Sequence, residues 1–124
     1  MKCPYCGDWA ELVGGDVIYP RRPDLAAKKF WRCAACDAYV GCHGLTSVPL
    51  GRLANKDLRE AKKKAHAAFD PIWKGGTLTR KAAYSWLAKM MGIPSENAHI
   101  GMFNEAQCRQ VVGICMNKPP KVML

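Results

Sequence analysis

The residues with the clearest chemistry are four cysteines. Cys3-Pro4-Tyr5-Cys6-Gly7 and Cys33-Ala34-Ala35-Cys36-Asp37 are both knuckle sequences of the Cys-x-x-Cys type. Four thiolates close a tetrahedral shell around one Zn²⁺ ion without help from other side chains, and a closed shell leaves no position for water or substrate. The expectation is therefore a structural zinc held by Cys3, Cys6, Cys33 and Cys36. The chain has seven cysteines, an odd number, and the paired spacing favours metal ligation over a disulfide framework. A redox dithiol or buried apolar cysteines account poorly for two paired motifs in one small chain. Iron in a rubredoxin-like site takes the same ligands, but zinc is the commoner occupant of a ribbon. Cys42 and His43 follow the second knuckle and stand as reserve ligands.

A weaker constellation lies further along. His66 and Asp70 are one helical turn apart, Arg59 and Lys63 share their side of the expected helix, and Trp73 follows one turn on. A general base oriented by a carboxylate, or a phosphate-contacting face, has this form. Against it stands an exposed histidine beside a capping aspartate, because no second carboxylate or metal cluster accompanies the pair. His99, between two helices, either converges with His66 on one pocket or hydrogen-bonds a helix end. His66, Asp70 and His99 are thus the weak catalytic candidates of a nuclease reading. No Gly-rich phosphate loop, Ser-centred elbow or metalloprotease motif is present, so a non-enzymatic role is favoured. Cys108 and Cys115 sit on an apolar helical stripe and read as core.

Charge points to a partner. The net charge is +9, yet residues 1–50 carry six Lys/Arg against five Asp/Glu, whereas residues 51–124 carry thirteen against five. A polyanion is the usual reason for such asymmetry, nucleic acid first among them. Arg22, Arg52, Lys56, Arg59 and Lys63 are the predicted contacts to successive phosphates. Tyr5, Trp9, Trp31 and Tyr39 neighbour the knuckles; they stack on unpaired bases if exposed, or pack over the metal site if not.

The elements that must position these groups follow from pattern. Trp9–Val13 and Asp16–Tyr19 flank Gly14-Gly15 as a tight hairpin. Pro20 to Asp24 form a rigid basic loop. Lys29–Arg32 enter the second knuckle as a strand and Ala38–Cys42 leave it as another. Asn55 caps a helix from Lys56 to Phe69 whose Leu58, Ala61, Ala65, Phe69 and Ile72 share one face. Asp70-Pro71 ends or kinks it, with Asp70 capping a short further turn. Thr79 caps a second helix through Met91 that buries Ala83, Trp86, Leu87, Met90 and Met91, and Gly92-Ile93-Pro94 stops it. Asn104 and Gln107 form a capping box for a third, with Phe103 and Cys108 as its staple. Cys108, Val111, Val112 and Cys115 make its buried stripe. The tail from Asn117, with Pro119-Pro120, reads as extended.

The predicted fold class is α+β: a zinc ribbon of short antiparallel strands over residues 1–48, packed on a basic region of about three helices over 49–124 as one compact unit. No apolar run approaches the roughly 20 residues that span a bilayer, and the Met1-Lys2-Cys3 start lacks the apolar core of a secretory signal. A reducing cytoplasm is the expected compartment, with no membrane partner.

Several segments carry a resemblance: Cys3-Pro4-Tyr5-Cys6-Gly7, Ile18-Tyr19, Cys33-Ala34-Ala35-Cys36-Asp37-Ala38-Tyr39-Val40-Gly41, Pro49-Leu50-Gly51-Arg52-Leu53-Ala54, Ala65-His66-Ala67-Ala68-Phe69-Asp70-Pro71-Ile72-Trp73, Tyr84-Ser85-Trp86-Leu87-Ala88 and His99-Ile100-Gly101-Met102-Phe103. Together they resemble the zinc-finger-containing domain family of phages and bacterial prophages, over nearly the whole chain. The resemblance implies a setting, a zinc protein in a bacterial host cytoplasm, and no activity. The expected function is binding of nucleic acid or a nucleoprotein complex through the basic helical face. Inhibition of a host factor, such as a bacterial defence complex, is the alternative.

Overall fold

A computed structural model describes residues 1–117. The expected extended tail beyond Asn117 lies outside them. The chain forms two compact units, Met1–Lys56 and the residues from Asp57 onward.

The first unit is a three-stranded antiparallel sheet in the order β1 (Glu11–Gly14), β2 (Lys29–Cys33), β3 (Ala38–Gly41). Register runs Glu11 to Arg32 and Gly14 to Lys29 on one side of β2, and Phe30 to Gly41 and Cys33 to Ala38 on the other. Lone bridges extend it: Lys2 to Trp9, Cys42 to Pro49 and Tyr39 to Ala54. The last two tie residues 49–54 to the sheet, so Arg52 belongs with the ribbon. Its core comprises Cys3, Ala10, Cys33, Ala38 and Leu53, with Trp31, Cys36 and Val40 packed against it.

The expected strand over Asp16–Tyr19 is not formed. Gly15–Ile18 is a single helical turn, α1, and β1 pairs instead with β2 across a long connection. Gly15 explains the change. Its N–H donates to the Lys28 carbonyl at 2.7 Å, its carbonyl accepts from Tyr19, and a Cβ there would overlap the Leu25 carbonyl. The chain turns where only glycine fits, which uses the backbone groups a local hairpin would need.

The second unit is helical: α2 (Lys56–Lys74), α3 (Arg80–Met91) and α4 (Glu105–Asn117), with α2 opening on the last residue of the first unit. α2 runs on through Pro71 rather than ending there. The Asp70 carboxylate accepts from His66 in the turn before and from Trp73 Nε1 at 3.3 Å in the turn after, a clasp across the hydrogen bond that proline cannot make. Asp70 is accordingly interior to the helix and does not cap a new one.

α3 starts at Thr79, whose hydroxyl accepts from Ala82 N–H at 3.1 Å, and stops at left-handed Gly92. Its buried residues are Ala83, Tyr84, Leu87 and Ala88, while Trp86, Met90 and Met91 are half-buried. The buried stripe is rotated towards Tyr84 because that ring packs on Phe69 of α2 at 4.6 Å and on His99 at 5.5 Å. The capping box of α4 is formed reciprocally: Gln107 N–H donates to Asn104 Oδ1 at 2.9 Å and Asn104 N–H to Gln107 Oε1 at 3.0 Å. Phe103 and Cys108 are both buried beside it. The molecule is therefore α+β, and among the described residues no helix is long and apolar enough to cross a membrane.

Candidate metal centre and basic helix

The sulfurs of Cys3, Cys6, Cys33 and Cys36 all lie within 4.8 Å of one another. Corners of a tetrahedron about 2.3 Å from a central zinc are roughly 3.8 Å apart. Cys6 Sγ and Cys33 Sγ are 3.7 Å apart, the spacing of ligands and far beyond a disulfide bond. The four residues fit one structural zinc ion. Cys3 and Cys33 are buried, Cys36 is half-buried and Cys6 is exposed, so the site forms one margin of the ribbon core.

Both knuckles turn by the same device. Gly7 and Asp37, each following the second cysteine of its pair, have φ of +81° and +49°, and Asp37 is the only positive-φ non-glycine among the described residues. This turn carries Gly7 N–H to the Cys3 carbonyl at 2.9 Å. Aspartate tolerates the left-handed region better than most residues, which is why it can serve where glycine is the better fit.

Cys3 and Cys36 hold their protons unequally. Burial opposes ionisation of Cys3, yet N–H groups of Tyr5 and Cys6 outweigh it and hold the thiol below its ordinary value. Hydrogen bonding with Cys6, then burial and the sulfurs of Cys33 and Cys3, push Cys36 up to about 12. A dication supplies the charge that lets all four ionise together. The reserves fall outside this cluster: Cys42 is half-buried, with its thiol pushed up by burial, and His43 is exposed.

Of the ribbon aromatics, three are engaged. The Tyr5 hydroxyl donates to the Leu53 carbonyl and accepts from Asn55 N–H, Trp31 Nε1 donates to the Ser47 carbonyl at 2.8 Å, and Tyr39 packs with Tyr19 and Phe30. Trp9 is different: it is 71% exposed, with Lys2 Nζ 5.3 Å over its ring. Arg22 makes a two-bond pair with Asp24 at 2.9 and 2.7 Å, so its charge is already matched. Arg52 is half-buried.

In the helical unit Lys63 is exposed and 3.7 Å from Glu60, while Arg59 is half-buried; Lys56 opens α2 exposed. His66 Nδ1 meets Asp70 Oδ1 at 3.1 Å and Oδ2 at 3.2 Å. His99 does not join them. It lines another cleft with Arg80, Tyr84, Ser95 and Glu96, its ring against Tyr84. Burial raises the Tyr84 phenol despite nearby Arg80, whose guanidinium lies over both the Trp73 and Tyr84 rings. Sequence reasoning passed over Arg80 and Lys74; the spacing of Lys74 four residues after Asp70 was the available signal for the second. Cys108 is core and Cys115 is half-buried rather than core, and burial raises both thiols, Cys115 to about 11.

Comparison with known proteins agrees with the metal geometry. No curated protein and no solved structure matches the chain. A family model described as a zinc-finger-containing domain matches residues 1–118. That span takes in both knuckles and all the described helices, and the chain belongs to the zinc-finger-containing domain family.

Proposed function

We propose that this zinc-finger protein binds nucleic acid, or a nucleoprotein complex, chiefly through the basic face of α2. The observation that carries the reading is the segregation of α2. Lys56, Arg59, Lys63, His66, Asp70 and Lys74 recur at steps of three and four, opposite the stripe of Leu58, Ala65 and Phe69 that is buried. Four of those six side chains are permanently cationic and a fifth can become so. Such a row tracks a phosphate backbone; the contacts assigned are Lys56, Arg59 and Lys63 of α2 and, separately in the ribbon, Arg52 and Arg22, the latter exchanging Asp24 for phosphate. The zinc supports the fold and takes no part in contact chemistry.

With about five phosphate contacts, affinity for a labelled duplex falls by roughly 10²–10³-fold over a fourfold rise in salt. Binding that is unchanged across that range excludes the mechanism. Lys63→Ala and Arg59→Ala each reduce the steepness of that dependence by about one unit of slope.

A second reading rests on a different observation. Leu45, Val48 and Leu50, in the loop after β3, are 71%, 56% and 55% exposed, and Trp9 is as exposed as Leu45. Apolar side chains of this size left in water fit a protein partner, and a phage- or prophage-encoded protein that blocks a host factor such as a defence complex would use them. Retention of a host partner after nuclease digestion, lost in Leu45→Ser, distinguishes this from the nucleic-acid reading.

A further inference from the structure

Within the helical unit, Lys62, Lys63, His66, Asp70, Pro71 and Lys74 line a shallow cleft of about 680 Å³. Its polar groups are organised around Asp70. Trp73 Nε1 donates to Oδ1, His66 Nδ1 meets both oxygens, and the Asp70 side chain is 19% exposed against 45% for His66. An ionised carboxylate only accepts hydrogen bonds, so the hydrogen of the pair sits on His66 Nδ1 and the ring turns Nε2 away from Asp70. Lys62 Nζ is anchored on the Gly101 carbonyl at 2.9 Å, Lys74 Nζ lies 4.0 Å from Asp70, and Lys63 is 76% exposed. Three ammonium groups, that of Lys63 also 3.7 Å from Glu60, thus line the cleft together with one imidazole whose orientation is held from behind.

We propose that this cleft is a phosphoryl-binding site. His66 Nε2 makes the directional contact, donating to an anionic oxygen when protonated and accepting from a P–OH when neutral. Lys62, Lys63 and Lys74 supply the countercharge, and Asp70 and Trp73 are positioning residues. The site deepens the nucleic-acid reading and rests on it for its favoured source, a backbone phosphate; free phosphate has the same chemistry.

The test uses the zinc-loaded full chain at fixed pH and ionic strength, with inorganic phosphate in one arm and a pTpT dinucleotide in the other. The imidazole signals of His66 are followed by ¹H–¹⁵N NMR, with His99, which lines a different cleft, as the internal control. His66 Nε2 moves along a saturating curve in both arms while His99 stays still, and Lys74→Ala weakens the midpoint about fivefold. Asp70→Asn separates positioning from charge. It removes a negative charge from the cleft, so a purely electrostatic site binds more tightly, whereas loss of the oriented ring weakens binding and gives mixed ring tautomers. Unsaturated movement that matches a chloride control, or tighter binding by Asp70→Asn, overturns the proposal. Saturable phosphate binding by a chain that ignores oligonucleotides upholds the site and removes the nucleic-acid reading. Oligonucleotide binding left intact by His66→Gln, with no response of His66 to phosphate, does the reverse.

Discussion

The two units of this chain are held together by different means. In the ribbon, the buried cluster is Cys3, Ala10, Cys33, Ala38 and Leu53, so two metal ligands are themselves core residues and a third packs against them. In the helical unit the largest fully buried side chains are Leu58, Phe69, Leu87, Ile100, Phe103, Cys108 and Val111. A three-stranded sheet of short strands with a mostly small-residue buried cluster gains little from apolar burial, and the ion replaces what a larger core would supply. The helical unit needs no such substitute. What the comparison teaches is that the two halves of one small chain can fail under different treatments.

The largest expected effect follows from this. Chelation of the metal, or Cys33→Ser, removes on the order of 10 kcal/mol of apparent folding free energy from the ribbon. Strand signals and the Trp31 environment collapse in NMR spectra, while the helical band in circular dichroism persists. If the helical band melts together with the ribbon, the distinction between the units is broken. The mirror experiment has a smaller effect. Phe69→Ala opens a cavity beside Tyr84 and costs the helical unit about 3–5 kcal/mol, with the zinc content by elemental analysis unchanged. Loss of metal from that variant would show that the core of the helices also supports the ribbon.

The same contrast governs what was legible in the sequence. The ligand set was readable in full, because four sulfurs at knuckle spacing have one economical use, and the arrangement of Cys3, Cys6, Cys33 and Cys36 agrees. Helix ends were readable where the signal is local, a side chain bonding its own backbone at Thr79 and in the Asn104–Gln107 pair, or a left-handed glycine at Gly92. Reading failed where a distant group decides. The strand expected after Gly14-Gly15 gave way to a close approach between Gly15 and the Leu25 carbonyl, a contact no local pattern announces. Asp70-Pro71 signalled an end or a kink, and the Asp70 clasp to His66 and Trp73 carries α2 past it. The buried face of α3 turned towards Tyr84 because Phe69 and His99 lie there. Trp9 looked like the other ribbon aromatics, and only the fold distinguishes it as the most exposed of them. The clefts that divide His66 from His99 are likewise products of tertiary packing.

The smallest effect sharpens the comparison most finely, since it perturbs a helix end without touching either core. Asn104→Ala removes the acceptor for Gln107 N–H and leaves one backbone donor of α4 without its cap, at a cost of about 1 kcal/mol. Gln107→Ala removes the return bond to Asn104 N–H, an exposed group that water can satisfy, and costs a few tenths of that. Because Phe103 and Cys108 remain packed beside the cap, the double variant costs less than the sum of the two if the side chains hold each other in place. Urea titration of the single and double variants, read on the helical band, measures this coupling. Additive costs would mean that the hydrophobic pair alone sets where α4 begins, and that the box merely fills hydrogen bonds water would otherwise make.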